Sequence, residues 1–132
     1  MTHRYRIEPS FGLLIDKFEG KMGWHNVLGG ILSSNEDPKF QLGMNVVADL
    51  TAADLDLGSE ELDNLTFAIS LVPTMKYGRI AVVTQGSVQF EIARAFGTLA
   101  DELDIYAEYR VFSSFSEARS WLGLPENVEL RL

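Results

Sequence analysis

The stretch "MNVVADLTAADLDLGSEEL", residues 44–62, decides the fold. Residues 44–50 (MNVVADL) are nearly unbroken in apolar character, the pattern of a strand covered on both faces in a parallel sheet. From Asp49 to Asp63 six side chains are acidic (Asp49, Asp54, Asp56, Glu60, Glu61 and Asp63), with no Lys or Arg among them. Ser59 then stands ahead of Leu62, Leu65, Phe67, Ala68, Ile69, Leu71 and Val72, which predict a helix closed by Pro73. Ser59 reads as the N-cap of that helix, and the carboxylates of its first turn suit the positive end of the helix dipole.

Outward from this stretch the chain alternates. Residues 4–8 (RYRIE) and 13–19 (LLIDKFE), joined by "PSFG" at 9–12, predict an antiparallel hairpin. Residues 22–34 place Trp24, Val27, Leu28, Ile31 and Leu32 at helical spacing, although Gly29 and Gly30 lie inside the pattern and each costs about 1 kcal/mol relative to Ala. Pro38 ends that helix. Residues 79–84 (RIAVVT) predict a strand. A long helix follows, capped by Ser87, with Val88, Ile92, Ala95, Phe96, Leu99 and Leu103 on its apolar face. Residues 105–112 predict a strand, residues 115–122 a short helix capped by Ser114 or Ser116, and ENVELRL an extra strand or an ordered tail. The order β-β-α-β-α-β-α-β-α implies an α/β fold: a five-stranded mixed sheet with about four helices, forming a single domain over 1–132.

Of the 132 residues 46% are apolar, enough for a real core, since a chain of this length hides roughly two-thirds of its unfolded surface. The net charge of −8 repels phosphate backbones, and the basic residues are spread from Arg4 to Arg131, so no nucleic-acid role is expected. The chain has no cysteine, which removes disulfides, thiolate catalysis and Cys-based zinc sites. No segment has the length and apolarity of a membrane span, and MTHRYRIEPS has no signal-peptide core. The cytoplasm is the expected location.

The search for chemistry yields little. His3 sits near a loose terminus and His25 beside Trp24, and neither has a spaced metal-ligating partner. "GKMG" (20–23) fails the phosphate-loop pattern at both Ile15 and Met22. The carboxylates at 54–63 fail the Ca²⁺-loop pattern, because Gly58 and Ser59 stand where a ligand and the glycine belong. No nucleophile elbow or Ser-His-Asp set is visible. "KYGR" (76–79) reads as a solvated basic corner. Phe90, Ala93 and Gly97 follow helical spacing on a second surface of the long helix, a dimer face or intramolecular packing. No cofactor and no metal are expected.

"DPKFQLGMNVVADL" (37–50) resembles the D-P-x-F-x-x-G-x-x-x-x-x-D-L stretch of the STAS-like superfamily, and more closely its stage II sporulation protein AA-like group of bacterial proteins. "RVFSSFSEARSWLGL" (110–124) is similar to that group's C-terminal R-V-F…E-A-x-x-W-L-G. The resemblance implies the anti-sigma-factor-antagonist fold and a non-enzymatic regulatory role. In studied members a D-S-S-G loop follows the strand, and a kinase phosphorylates its second serine. That column falls on Ser59. Leu57, Gly58 and Glu60 replace the aspartate, the first serine and the glycine, so the phospho-switch is expected to be lost.

The expectation is therefore a protein-interaction domain whose partner surface comprises Asp49, Asp54, Asp56, Ser59 and Glu60. One alternative is a carrier or sensor of a small apolar or lipid-like ligand, held near Trp24, Leu28 and Ile31. An enzyme is the least favoured alternative. A homodimer through the hairpin edge or the Phe90 face is a further expectation.

Overall fold

The computed structural model describes residues 2–72, 77–104 and 106–132. Pro73, Lys76 and Ile105, which entered the expectations above, lie outside the described residues. Strand β1 (Thr2–Glu8) pairs antiparallel with β2 (Leu13–Met22). The turn between them is a short 3-10 segment, Pro9–Phe11, closed by Gly12 in the left-handed region at φ 56°. Proline sets the first turn position, and glycine accepts the positive φ. Helix α1 (Trp24–Asn35), β3 (Asn45–Leu55), α2 (Ser59–Ser70), β4 (Tyr77–Val83), α3 (Ser87–Glu102), β5 (Tyr106–Phe112) and α4 (Phe115–Leu122) follow. The strands lie in chain order, β1-β2-β3-β4-β5, and all pairs after the hairpin are parallel. The expected α/β architecture and element order stand.

Two differences concern strand length. β2 runs to Met22 rather than 19, and β3 to Leu55 rather than 50. The added arms pair Glu19–Met22 with Ala52–Leu55, beyond a register shift between Lys17 and Glu19. The acidic side chains hid this arm, because along 52–55 exposed Ala52 and Asp54 alternate with buried Ala53 and Leu55. That is the period of a half-buried strand. Only residues 56–58 remain as a loop between β3 and α2.

Both faces of the sheet are covered. On one, Leu14, Phe18, Val46, Leu50, Ile80 and Val82 pack under α1, α2 and α3. On the other, Leu13, Ile15, Val47, Ala81 and Val83 pack under Ala118 and Leu122 of α4, with Val128 and Leu130 of the C-terminal segment. That segment is thus an ordered tail rather than a strand. The Arg119 guanidinium holds it by donating to the carbonyls of Pro125 (2.8 Å) and Val128 (2.6 Å).

Helix starts correct two cap assignments. Gly58 and Gly86 occupy the N-cap positions of α2 and α3, so Ser59 and Ser87 fall one residue inside and make no capping hydrogen bond. A serine in the first helical position has helical φ/ψ, which carries its hydroxyl away from the amides that a cap would accept from. Ser114 does cap α4: its Oγ accepts from the Glu117 amide at 3.2 Å.

Candidate functional site

The acidic stretch sits where β3 hands over to α2. The Asp56 amide donates to the Met22 carbonyl (2.9 Å), and the Leu55 amide donates to Gln89 Oε1 (2.9 Å). Leu57 is buried in the core. The short loop is therefore fixed, and Asp54, Asp56, Ser59 and Glu60 all face solvent. Asp49 does not join them. It lies on the α4 face of the sheet, 1% exposed, accepting from the Thr51 amide (3.0 Å) and the Thr51 hydroxyl (2.6 Å). The alternation of strand faces explains the split, because Asp49 shares the parity of buried Val47.

Helix α2 continues the exposed stretch. Leu62, Leu65, Thr66 and Ile69 are buried, whereas Glu60, Asp63, Asn64, Phe67 and Leu71 are exposed. Phe67 and Leu71 remain 63% and 65% exposed. Their three- and four-residue spacing makes one stripe along the outer face, acidic at the start and apolar at the end. Phe67 and Leu71 read as core residues in the sequence. The missed signal was position: Phe67 stands two residues from both Leu65 and Ile69, which a helix turns to opposite sides.

A second feature is internal. A cavity of about 90 Å³ lies between the sheet and α1–α3, walled by Val27, Ile31, Leu50, Val82, Ile92 and Phe96 among others. Of the three residues expected to hold an apolar ligand, only Ile31 reaches it. Trp24 and Leu28 pack against the core elsewhere, the Trp24 ring 3.7 Å from that of His25.

Asp16 also borders the cavity, 3% exposed. Its Oδ1 lies 2.7 Å from His3 Nε2. Burial pushes the Asp16 carboxyl above its ordinary range, while hydrogen bonds from His3 and Ser34 oppose that rise. His3 is accordingly a strand residue packed on Phe18, not part of a loose terminus. Nearby, the Tyr77 hydroxyl donates to Asn35 Oδ1 (2.7 Å) and the Tyr5 hydroxyl to Asp37 Oδ2 (2.9 Å). Burial drives the Tyr77 hydroxyl far above its ordinary value. His3, Asp16 and Ser34 meet in space, but the carboxylate stands between the other two. That is not the order in which a histidine would activate a serine.

The expected dimer face is largely internal. The Tyr109 hydroxyl donates to the Ala93 carbonyl (2.7 Å), and the Tyr109 ring packs so closely on Gly97 that a Cβ there would overlap it. Ala93 and Gly97 are small because β5 passes beneath them. Phe90 alone is partly exposed, beside a groove shared with Arg94, Thr98 and Asp101. Among the described residues no group of three or more His, Asp or Glu side chains is placed to hold a metal ion. No helix is long and apolar enough to cross a membrane, again among the described residues.

No family model matches the chain, and no curated protein does. A solved structure matches along almost all of it: an uncharacterised protein from the DUF3478 family with a SpoIIAA-like fold, from Shewanella loihica PV-4. It covers 91% of this chain and 93% of its own length, with a TM-score of 0.56 and 21% identity. The fold is SpoIIAA-like. In this SpoIIAA-like frame the 37–50 stretch that carries the sequence resemblance builds the entry to β3 and the buried half of that strand, and 110–124 builds the end of β5 and α4.

Proposed function

We propose that the protein is a non-enzymatic regulatory domain that acts by docking a protein partner on the outer face of α2 and the junction that precedes it. The stripe from Glu60 through Asp63 and Asn64 to Phe67 and Leu71 carries this reading. Adjacent exposed apolar side chains beside a polar rim suit a protein contact. The acidic start of the helix adds orientation: it favours a partner with an apolar groove and basic residues at one end, and it speeds their encounter. The fixed 56–58 loop presents this surface without an ordering cost. Ser59 is exposed at the first helical turn, but Glu60 and Glu61 already hold the positive end of the helix. A phosphate there would add about −1.5 to −2 charges beside them. We therefore take partner exchange on this face to be independent of Ser59 phosphorylation. With its carboxylate turned into the core, the Asp16–His3 pair favours a structural role over a catalytic one.

Affinity capture from native lysate tests the reading. A specific partner is expected to bind the wild-type chain and to be lost with Glu60→Lys plus Phe67→Ser. Retention by that variant would remove the surface assignment.

The internal cavity supports a second reading, a carrier or sensor of a small apolar molecule. Native mass spectrometry of the gently purified protein would then show added mass, and a clean apo spectrum counts against it.

A further inference from the structure

Strand β5 ends one side of the sheet, and no strand lies beyond it among the described residues. The Thr84 amide donates to the Phe112 carbonyl (2.9 Å), which fixes the direction of the peptide groups along β5. Those of Glu108, Arg110 and Phe112 turn toward β4, and the alternate ones, Val111 among them, turn to the open edge. Such an edge is a template for another strand unless proline, lysine or a bulge guards it. β5 (YAEYRVF) has no proline and no lysine, and its register with β4 runs without a shift.

Two charges do stand on it, opposite in sign and two residues apart. Glu108 lies 2.8 Å from Arg79 and is half exposed. Arg110 is exposed, its guanidinium 5.5 Å from the centre of the Trp121 ring, and it has no ion-pair partner among the described residues. This spacing fits a second β5 running antiparallel. With a two-fold axis at Tyr109, Glu108 of each copy stands directly across from Arg110 of the other, as a stabilising cross-strand pair. An axis at Glu108 or at Arg110 sets like charges across from each other instead, which destabilises.

Helix α3 repeats the match. Gly97 packs on the Tyr109 ring, so the same axis passes beside Gly97. Arg94 precedes it by three residues and Asp101 follows it by four, both exposed. They line a groove of about 480 Å³ that runs along β5 past Phe90 and Val111. The axis brings Arg94 of each copy toward Asp101 of the other. Within its own chain Arg94 meets only Glu91, at 3.4 Å in an exposed pair of little worth.

We propose that the protein forms a homodimer by antiparallel pairing of β5 with β5 of a second copy, which joins the two five-stranded sheets into one. The hairpin edge at β1 lies on the far side of the sheet and takes no part. The outer face of α2 stays exposed in both copies, so the proposal is independent of the docking reading.

Sedimentation equilibrium of the full chain, over a concentration series at physiological salt, tests it. The wild-type chain is expected to show a reversible monomer–dimer equilibrium. Glu108→Arg leaves only positive charge at the two paired positions, and Arg110→Glu only negative charge. Each variant alone is expected to weaken the dimer about tenfold, because two cross-strand attractions become repulsions. An equimolar mixture of the two variants restores opposite charges at both positions and is expected to regain the wild-type constant. Residues that served only the folding of their own chain would not give that rescue, and circular dichroism of each variant is expected to match wild type. A wild-type chain that stays monomeric would overturn the proposal and leave the edge to a strand of another protein. Single variants that dimerise like wild type, or a mixture that stays monomeric, would overturn it as well.

Discussion

His3 and Asp16 face each other from adjacent strands, joined at 2.7 Å, and the carboxylate so held forms part of the wall of the apolar cavity. The pair ties β1 to β2 through a group that burial makes reluctant to ionise.

The sign of the pH effect follows. The folded carboxyl of Asp16 titrates above its unfolded value of 3.8, so the folded chain holds that proton more tightly. Its contribution favours the fold below the unfolded value and is lost as pH rises through the folded one. Asp37 works the other way. The Lys39 amide and the Tyr5 hydroxyl lower its pKa, so its contribution is present above the unfolded value and lost as pH falls through the folded one. Urea midpoints measured across acidic pH are expected to lose the Asp16 component in Asp16→Asn and the opposite component in Asp37→Asn.

Gly30 and Gly29 are neighbours in α1 with opposite expectations. A Cβ on Gly30 would lie 2.5 Å from the Phe18 ring and 2.9 Å from the His3 ring, whereas one on Gly29 meets nothing within 4 Å. Gly30→Ala is expected to lower stability by about 1–3 kcal/mol, despite alanine's better helix propensity. Gly29→Ala is expected to raise it by about 0.5–1 kcal/mol. Chemical denaturation of the two variants checks the contrast.

The cap geometry separates two serines. Ser114→Ala removes a capping acceptor and is expected to cost about 0.5–2 kcal/mol. Ser59→Ala removes an exposed hydroxyl that caps nothing and is expected to stay within about 0.5 kcal/mol of wild type. Thermal melts of both variants under one buffer decide it.

The sheet and helix order were legible because apolar runs such as 79–84 and periodic runs such as 88–103 carry the two characteristic spacings. The far arm of β3 was obscured, since its acidic residues looked like a loop until their alternation with Ala53 and Leu55 is considered. His3 was misjudged because its partner lies thirteen residues away across a hairpin, and no local spacing encodes that contact. The proposed docking surface was half legible: its carboxylates stand out in the sequence, whereas Phe67 and Leu71 merged with a run of true core residues. Of the dimer face, Ala93 and Gly97 proved to be small to admit Tyr109, a fact of packing between α3 and β5 that α3 does not reveal by itself.

The docking of a partner on α2 is the central claim, and site-specific photo-cross-linking in the native cell tests it most directly. A cross-linking residue placed at Asp63 or Asn64, on the outer stripe, is expected to capture one and the same protein. One placed at Glu126, exposed beyond α4, should not capture it, and Phe67→Ser with Leu71→Ser should abolish the capture from both α2 positions. Capture of that protein from Glu126, its persistence in the double variant, or no capture from either α2 position would contradict the account.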